Sequence, residues 1–305
     1  MKTYNSLFTM MEAFKDEKAC VEHLAKLRWP KGVVCPVCGS TRKIYKLTRG
    51  HNYKCADCIN EFSVRKGTIF EESRLPLRKW FMAAWLITAN RKGISSCQLA
   101  REIGVTQKTA WFMLGRLREI AKVMESFGGP VGGTVETDET YIGGKEKNKH
   151  NNKKLHMGRG GVGKQAVIGC VERGGRVKTA HIRSTSAQVM QGFVTDNVNI
   201  DSVLYTDYHR SYQGLNGQYK HEAVNHSVGE YVRGQAHTNG IESFWSLLKR
   251  GHYGTFHHFS VKHLHRYLAE FETRWNMTDM NGGERLDAML ESAPGSRLTY
   301  ERLTA

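Results

Sequence analysis

The spacing of apolar residues predicts a helix over residues 237–251. Its apolar positions recur at intervals of three and four: Ile241, Phe244, Leu247 and Leu248. Glu242 and Lys249 fall on one line along this helix, about 10 Å apart, which is too far for a simple ion pair. A capping box formed by Asn239 and Glu242 would explain the acid structurally. A functional explanation requires partner carboxylates elsewhere in the chain.

Residues 76–122 contain a second helical region, divided by a turn. Ser95 or Ser96 can cap a short helix. Gly104 can form the turn that ends it, and Thr106 can cap the next helix. This order is typical of a helix-turn-helix motif, whose second helix presents its first residues to the DNA major groove. An unrelated helical hairpin would show the same glycine turn. If the motif binds DNA, the contacts come from Gln107, Lys108 and Thr109.

β-Branched and aromatic residues become frequent after a glycine-rich segment at 125–134, where we place a domain boundary. The stretch "GTVETDETYIGG" predicts a strand that carries Glu136, Asp138 and Glu139. Three acids this close repel one another unless they face solvent or a cation. A buried member would therefore imply a metal ion.

Further strands follow in an order that defines a sheet. "KQAVIGCVERGGRVKTAHIRS" predicts two strands joined at Gly174 and Gly175, a pair typical of tight hairpins. A capped helix, a strand that stops at Asp207 and a fifth strand, "HEAVNHS", come next. This order describes an α+β, ribonuclease-H-like domain with a mixed sheet flanked by helices. In that fold Asp138, Asp207 and Glu242 converge at one end of the sheet.

Four of the seven cysteines form two pairs, each with two intervening residues: Cys35, Cys38, Cys55 and Cys58. Sixteen residues separate the pairs, a spacing expected of a four-thiolate zinc site. The intervening segment predicts short strands, so the module is a zinc ribbon. Because four thiolates leave no open position, we expect one structural Zn²⁺.

The charge of the chain indicates a polyanionic partner. The formal net charge is +16, from 45 Lys and Arg against 29 Asp and Glu, and nucleic acid is the first candidate. A membrane is disfavoured, because the longest apolar run, at residues 80–89, is about half the length of a spanning helix. The N-terminus lacks the apolar region of a signal peptide. We therefore predict a cytoplasmic protein.

Several separate motifs resemble one family. "CPVCGS…CADC", "ETDETYIGGK", "LYTDYHRSY" and "HTNGIESFWSLLKRGHYGTF" occur in the same order as in the zinc-ribbon DDE transposases of bacterial insertion sequences, the ISXO-like group. The resemblance spans roughly residues 15–280. It implies a transposase that binds terminal inverted repeats, cleaves DNA strands and transfers them to target DNA, as a dimer on DNA.

By this resemblance Asp138, Asp207 and Glu242 are the metal-binding triad, and Lys249 contacts a DNA phosphate. Two Mg²⁺ or Mn²⁺ ions would activate water and stabilise the leaving oxygen. Asn239 is a weaker candidate for the third position, because a carboxylate binds a hard cation better than a neutral amide does.

A basic, glycine-rich insertion at residues 143–164 follows the acidic strand. We expect it to lack fixed structure when free and to order on DNA, whereas a merely solubilising loop is the structural alternative. Its predicted DNA contacts are Lys145, Lys147, Lys149, Lys153, Lys154, Arg159 and Lys164. Asn239 and Arg250 are further predicted contacts.

These features predict four segments: residues 1–72 (zinc ribbon with an N-terminal helix), 73–127 (helix-turn-helix region), 128–280 (catalytic domain) and 281–305 (C-terminal tail). Two other functions fit the same modules. One is a DNA-binding regulator whose acidic domain is inactive. The other is a ribonuclease-H-like nuclease that cuts DNA and never joins it.

Overall fold

The structure, a computed structural model, describes residues 4–49, 51–144, 148–154, 161–225, 229–230 and 232–305. The chain divides into two compact units with separate hydrophobic cores. The first unit draws on residues 1–90, 94–124 and 277–305, and the second on residues 91–93 and 125–276. No helix in these described ranges is both long and apolar enough to cross a membrane.

The first unit begins with two short helices and a small antiparallel sheet. The helices are α1 (Leu7–Ala13) and α2 (Glu17–Arg28), and the strands are β1 (Ile44–Lys46), β2 (Tyr53–Cys55) and β3 (Glu61–Phe62). The side chains of Ser6 and Asp16 cap the helices by accepting backbone N–H groups. The ring of Trp29 packs edge to face against Tyr53, which stacks on Phe62. The predicted ribbon strands are confirmed.

The helix-turn-helix order is also confirmed in the first unit. The helices are α3 (Leu77–Ala89), α4 (Ser96–Ile103) and α5 (Gln107–Phe127). Ser95 Oγ accepts the N–H of Gln98 at 3.1 Å and so caps α4. Gly104 ends α4 with a φ of 62°, a left-handed conformation that favours glycine. Thr106 Oγ1 then accepts the N–H of Thr109 at 3.2 Å in the first turn of α5.

The second unit is built on a sheet with the strand order β6-β5-β4-β7-β8. The strands are β4 (Thr134–Ile142), β5 (Gln165–Glu172), β6 (Val177–Ile182), β7 (Val203–Asp207) and β8 (Lys220–Val224). β4, β5 and β6 form an antiparallel meander, while β7 and β8 run parallel to β4. This mixed sheet confirms the predicted ribonuclease-H-like arrangement.

Helices cover both faces of this sheet. They are α6 (Ala187–Asn197), α7 (Asn239–Gly251) and α8 (Leu264–Asn276). Neighbouring residues of β5 point to opposite faces, as expected for a strand with a period of two. Ile168 packs in the cluster that contains Val194 of α6. Val167 packs in the cluster that contains Phe244 of α7 and Phe271 of α8. The sheet is therefore apolar on both sides.

Two further helices, α9 (Gly282–Glu291) and α10 (Tyr300–Thr304), belong to the first unit. Leu286 is buried in the core of that unit. Asp287 pairs with His23 of α2, with 2.7 Å between its Oδ1 and the ring Nε2. The segment that the sequence analysis treats as a tail thus contributes to a folded core. The domain boundaries taken from the sequence stay predictions.

Glu272 of α8 is a buried acid that joins the helix to β6. Its carboxylate accepts hydrogen bonds from the backbone N–H and the hydroxyl of Thr179. Burial, with a smaller contribution from the nearby charge of Glu125, raises the pKa of Glu272 from 4.5 to about 8. Ionising this group in the folded protein is therefore unfavourable.

Glu272→Gln should remove part of the pH dependence of stability. Because the folded pKa lies above the unfolded pKa, the protonated acid favours folding below pH 4.5, and this contribution is lost as the pH rises through about 8. Gln keeps the oxygen that accepts from Thr179 and carries no charge. Chemical denaturation should give the variant the higher unfolding free energy at pH 8.5 and nearly equal values at pH 5.

The control is Asp196→Asn, which alters an exposed acid of the same unit. The change of its unfolding free energy with pH should match that of the wild-type protein. A Glu272→Gln curve parallel to the wild-type curve would contradict this explanation.

Candidate active site and zinc site

The four paired cysteines of the first unit lie together. Their sulfurs are 3.6 Å apart between Cys35 and Cys58, and 3.7 Å apart between Cys38 and Cys55. Four sulfurs at about 2.3 Å from one zinc ion in a tetrahedron would lie about 3.8 Å from one another. The sulfurs therefore fit a structural zinc ion, as the sequence spacing predicts.

An acidic cluster lies at the end of β7 in the second unit. Carboxylate oxygens of Asp138, Glu139 and Asp207 all lie within 4.8 Å of one another. The pairing of β4 with β7 stops at Thr137 and Thr206, so each aspartate directly follows the last residue that pairs with the other strand. Because the two strands are parallel and in register, their next residues meet at the same edge of the sheet.

The acids of this cluster disfavour one another's charge. Burial raises the pKa of Asp138 from 3.8 to about 8, with further contributions from Glu139 and Asp207. Burial and the charge of Asp207 also raise the pKa of Glu139. The buried Tyr212 hydroxyl donates to Glu139 at 3.0 Å. Three clustered carboxylates suit a divalent cation, which would remove the repulsion between them.

Trp245 connects α7 to this cluster. Its indole N–H donates to Asp138 Oδ2 at 3.1 Å, and the side chain is buried. Gly169 of β5 lies opposite Asp138 in the sheet. A Cβ atom at this glycine would lie 2.7 Å from the Trp245 ring. The indole reaches the aspartate because β5 has no side chain at that position.

Glu136 fixes the start of α7 to β4. Its Oε2 accepts the backbone N–H groups of Gly240 at 2.6 Å and Ile241 at 3.2 Å. Its Oε1 accepts from Arg173 Nε at 2.8 Å, and His237 Nδ1 lies 3.2 Å away. The expectation that a buried acid on this strand implies a metal ion is therefore wrong for Glu136. A guanidinium and a helix N-terminus compensate its charge instead.

Glu242 lies on the first turn of α7, outside the group of three acids. It is exposed, and its Oε1 accepts the hydroxyl of Thr238 at 3.0 Å. The helix begins at Asn239, so Thr238 occupies the cap position. The capping box considered for Asn239 and Glu242 is therefore wrong. Asn239 itself is exposed.

Lys249 lies two turns further along α7. Burial lowers the pKa of Lys249, the charge of Asp138 raises it, and the charge of Lys164 lowers it. The lysine is thus close enough to Asp138 for their charges to interact. The helix that carries Glu242 brings this cation to the acidic cluster.

The candidate DNA contacts of α5 are on the surface of the first unit. Gln107 and Lys108 are exposed. Gln107 Nε2 donates to Ser96 Oγ at 2.8 Å, and the Lys108 ammonium lies 5.4 Å from the centre of the Tyr300 ring. The hydroxyl of Thr109 is 2.8 Å from that of Thr106, so it supports the cap of the helix.

The basic insertion is described only in part. Lys145, Lys147 and Arg159 lie outside the described residues, as does the side chain of Lys153. The expected ordering of the insertion on DNA therefore stays a prediction. Lys154 Nζ donates to Asn151 Oδ1 at 2.9 Å. Lys149 and Lys164 are partly buried, and Arg250 of α7 is exposed.

Fold and site together define a class of protein: a zinc-ribbon protein with a ribonuclease-H-like domain whose acids gather at the end of its central strands. Comparison with known families agrees with this class. The ISXO2-like transposase domain matches residues 130–276, and the transposase zinc-ribbon domain matches residues 15–61. The chain belongs to the ISXO2-like transposase family of insertion sequences.

Two relatives support this assignment. The chain is 31% identical over 301 residues to an uncharacterized protein in transposable element ISH50 of Halobacterium salinarum, covering 93% of this chain and 99% of that protein. It is 30% identical over 106 residues to an uncharacterized transposase-like protein of Haemophilus influenzae, covering 34% of this chain and 85% of that protein. No solved structure matches the chain.

Three residues that shape the site make contacts that the sequence did not predict. Glu139 is part of the acidic cluster, Trp245 contacts Asp138, and Glu136 fixes α7. The position of Glu139 beside Asp138 was a usable signal, because both residues lie where β4 continues beyond β7. The bonds of Glu136 and Trp245 join residues more than 100 positions apart, and no local pattern indicates them.

Trp245→Phe should weaken the binding of a divalent cation. Phenylalanine keeps most of the apolar ring but loses the N–H that orients Asp138. Loss of a hydrogen bond that orients a metal ligand typically reduces metal affinity about 10- to 100-fold. Titration calorimetry with Mn²⁺ should show this reduction at the acidic cluster.

Trp275→Phe is the matched control. The indole of Trp275 donates to a backbone carbonyl, that of Gly175, at 3.3 Å. This variant should bind Mn²⁺ like the wild-type protein. Equal Mn²⁺ affinities for both variants would show that the indole does not position Asp138.

Proposed function

We propose that this protein cuts DNA at the ends of an insertion sequence and joins the freed ends to target DNA. The observation that carries the proposal is the meeting of Asp138 and Asp207 at the point where the pairing of two parallel strands stops. They come from segments about seventy residues apart in a domain of the ISXO2-like transposase family. Such a protein would act on DNA in the cytoplasm.

Divalent cations, Mg²⁺ or Mn²⁺, are the proposed cofactors of this site. Asp138 and Asp207 would hold them, with a third carboxylate completing the set. A pair of such ions activates water, stabilises the leaving oxygen and neutralises charge on the phosphate. Hard cations prefer carboxylate oxygens, and the three clustered acids provide them.

Glu242 is the proposed third carboxylate, and Glu139 is its rival. Trp245 lies three residues after Glu242, so both lie on the same side of α7. That side faces Asp138, because the Trp245 indole donates to it. Glu242 would then join the cluster from the side of α7 that carries Trp245. Glu139 is the alternative third ligand because it already lies within the group of three acids.

Lys249 is proposed to bind a phosphate next to the one that is cut. Its ammonium is a compact point charge, held near Asp138 by the same helix. The ribbon, the helix-turn-helix region and the basic insertion would bind the remaining DNA, consistent with the net charge of +16. A dimer on DNA, which would bring two ends together, is part of the proposal.

Incubation with labelled DNA from the two ends of the element, in Mg²⁺ or Mn²⁺, tests this function. Joined products would support a transposase. Hydrolysed ends without joined products would indicate a nuclease. Binding without any cutting would indicate a regulator, and either of the last two results would refute the proposal.

Substitutions of single acids should separate the roles within the site. Asp138→Asn should slow cutting about 10³-fold, the equivalent of several kcal/mol of transition-state stabilisation, and leave DNA affinity largely intact. Glu242→Gln should have a similar effect, whereas Glu139→Gln should have a much smaller one. Rates come from single-turnover cutting assays, and affinities from fluorescence anisotropy.

The reverse order, with Glu139→Gln severe and Glu242→Gln mild, would make Glu139 the third ligand. Cutting by Asp138→Asn at a rate comparable to wild type would refute the site as a whole. Asp196→Asn, an exposed acid on α6, is the control and should cut normally.

A further inference from the structure

A cavity of about 550 Å³ lies at one end of the sheet in the second unit, where β4 and β6 end and β5 begins. Pockets of roughly 300–1,000 Å³ hold ligands of the size of one nucleotide. The residues that give this cavity its chemistry are Tyr141, Lys164, Gln165, His181, Arg183 and Thr185.

The lining of the cavity suits an anion with a planar ring. Lys164 and Arg183 supply positive charge, and no Asp or Glu is among the described residues that line it. His181 Nε2 lies 2.9 Å from Gln165 Oε1. Tyr141 supplies an aromatic ring. Phosphate, sugar hydroxyl and base could each find a partner here, which is the chemistry of a nucleotide.

The backbone packs directly against the ring of Tyr141. A Cβ atom at Gly161 would come within 2.5 Å of two ring atoms. Bases stack on aromatic side chains with little dependence on sequence, because every base has a π-face.

The cavity lies beside the acidic cluster. Tyr141 follows Glu139 by two residues on β4, so both side chains point to the same face, about 7 Å apart along the strand. That distance equals about two nucleotide steps of B-form DNA. Lys164 is close enough to Lys249 for its charge to act on that residue, and Lys249 interacts in turn with Asp138. A DNA strand bound at the acids could therefore extend into the cavity.

We propose that this cavity binds one unpaired nucleotide of the DNA strand that is cut, one or two positions from the phosphate at the acidic cluster. Lys164 and Arg183 bind its phosphate, and its base stacks on Tyr141. The proposal rests on the proposed function, because it assumes that a DNA strand reaches the acids. Enzymes that bind a nucleotide outside the duplex must first unpair and unstack it, which costs free energy.

Affinity measurements with the non-cutting variant Asp138→Asn test this proposal. The probes are duplexes of the element end that carry a single mismatch at successive positions. A mismatch removes part of the unpairing cost. One position next to the cut should therefore bind about tenfold more tightly than the paired duplex, while the other positions should not.

Changes in the cavity should abolish this preference. Tyr141→Ala and Arg183→Ala, each combined with Asp138→Asn, should reduce the tenfold gain to less than twofold. Tyr141→Phe should retain it, because the ring remains. Lys220→Ala is the control for lost charge: it removes an exposed lysine at the start of β8, at the opposite end of the parallel strands, and should keep the gain.

Two results would overturn the proposal. One is equal affinity for paired and mismatched ends at every position. The other is a uniform loss of affinity in Arg183→Ala with the mismatch gain unchanged, which would make the cavity a contact to duplex backbone. A mismatch gain in a wild-type protein that never cuts DNA would support the cavity and refute the proposed function. Normal cutting without the mismatch gain would support the proposed function and refute the proposal for the cavity.

Discussion

The arrangement of the second unit depends on one buried carboxylate, that of Glu136. It is 1% exposed and joins a central strand to the start of α7 through two backbone N–H groups. An unpaired buried charge would cost several kcal/mol, but Arg173 and the positive end of the helix compensate it. Gly240 makes the contact possible, since a Cβ atom there would lie 2.8 Å from the carboxylate. The start of α7 is thus fixed to β4 at Glu136, two residues before Asp138.

This contact positions α7 and therefore the functional residues that the helix carries. Trp245 reaches Asp138, and Lys249 lies within range of the same aspartate. The sheet supplies the other half of the site, because two parallel strands in register carry adjacent acids just beyond the last pair that they form with each other. Burial and the neighbouring acids raise the pKa of Asp138 and of Glu139, so the site is electrostatically unfavourable until a cation or protons neutralise it. The same acids therefore lower the stability of the folded protein without a cation and provide its affinity for a divalent metal.

Local sequence patterns predicted most of the helices and strands. The features that they did not predict depend on contacts between residues far apart in the chain. The Gly174–Gly175 hairpin and the Gly104 turn depend on residues close in sequence, so spacing alone indicates them. Glu136 looked like a possible metal ligand because its partner Arg173 and the start of α7 are distant in the chain. The buried Leu286 was missed for the same reason, since its neighbours are N-terminal helices. Glu242 and Glu139 could not be ranked from sequence, because ranking depends on side-chain positions.

Anomalous diffraction from crystals soaked in Mn²⁺ would show whether the two aspartates hold a divalent cation. We expect manganese between Asp138 and Asp207, about 2.0–2.6 Å from an oxygen of each, and no manganese at Glu136, whose oxygens already accept from the helix and Arg173. Manganese bound to Glu136, or a cluster that stays empty at saturating Mn²⁺, would contradict this expectation.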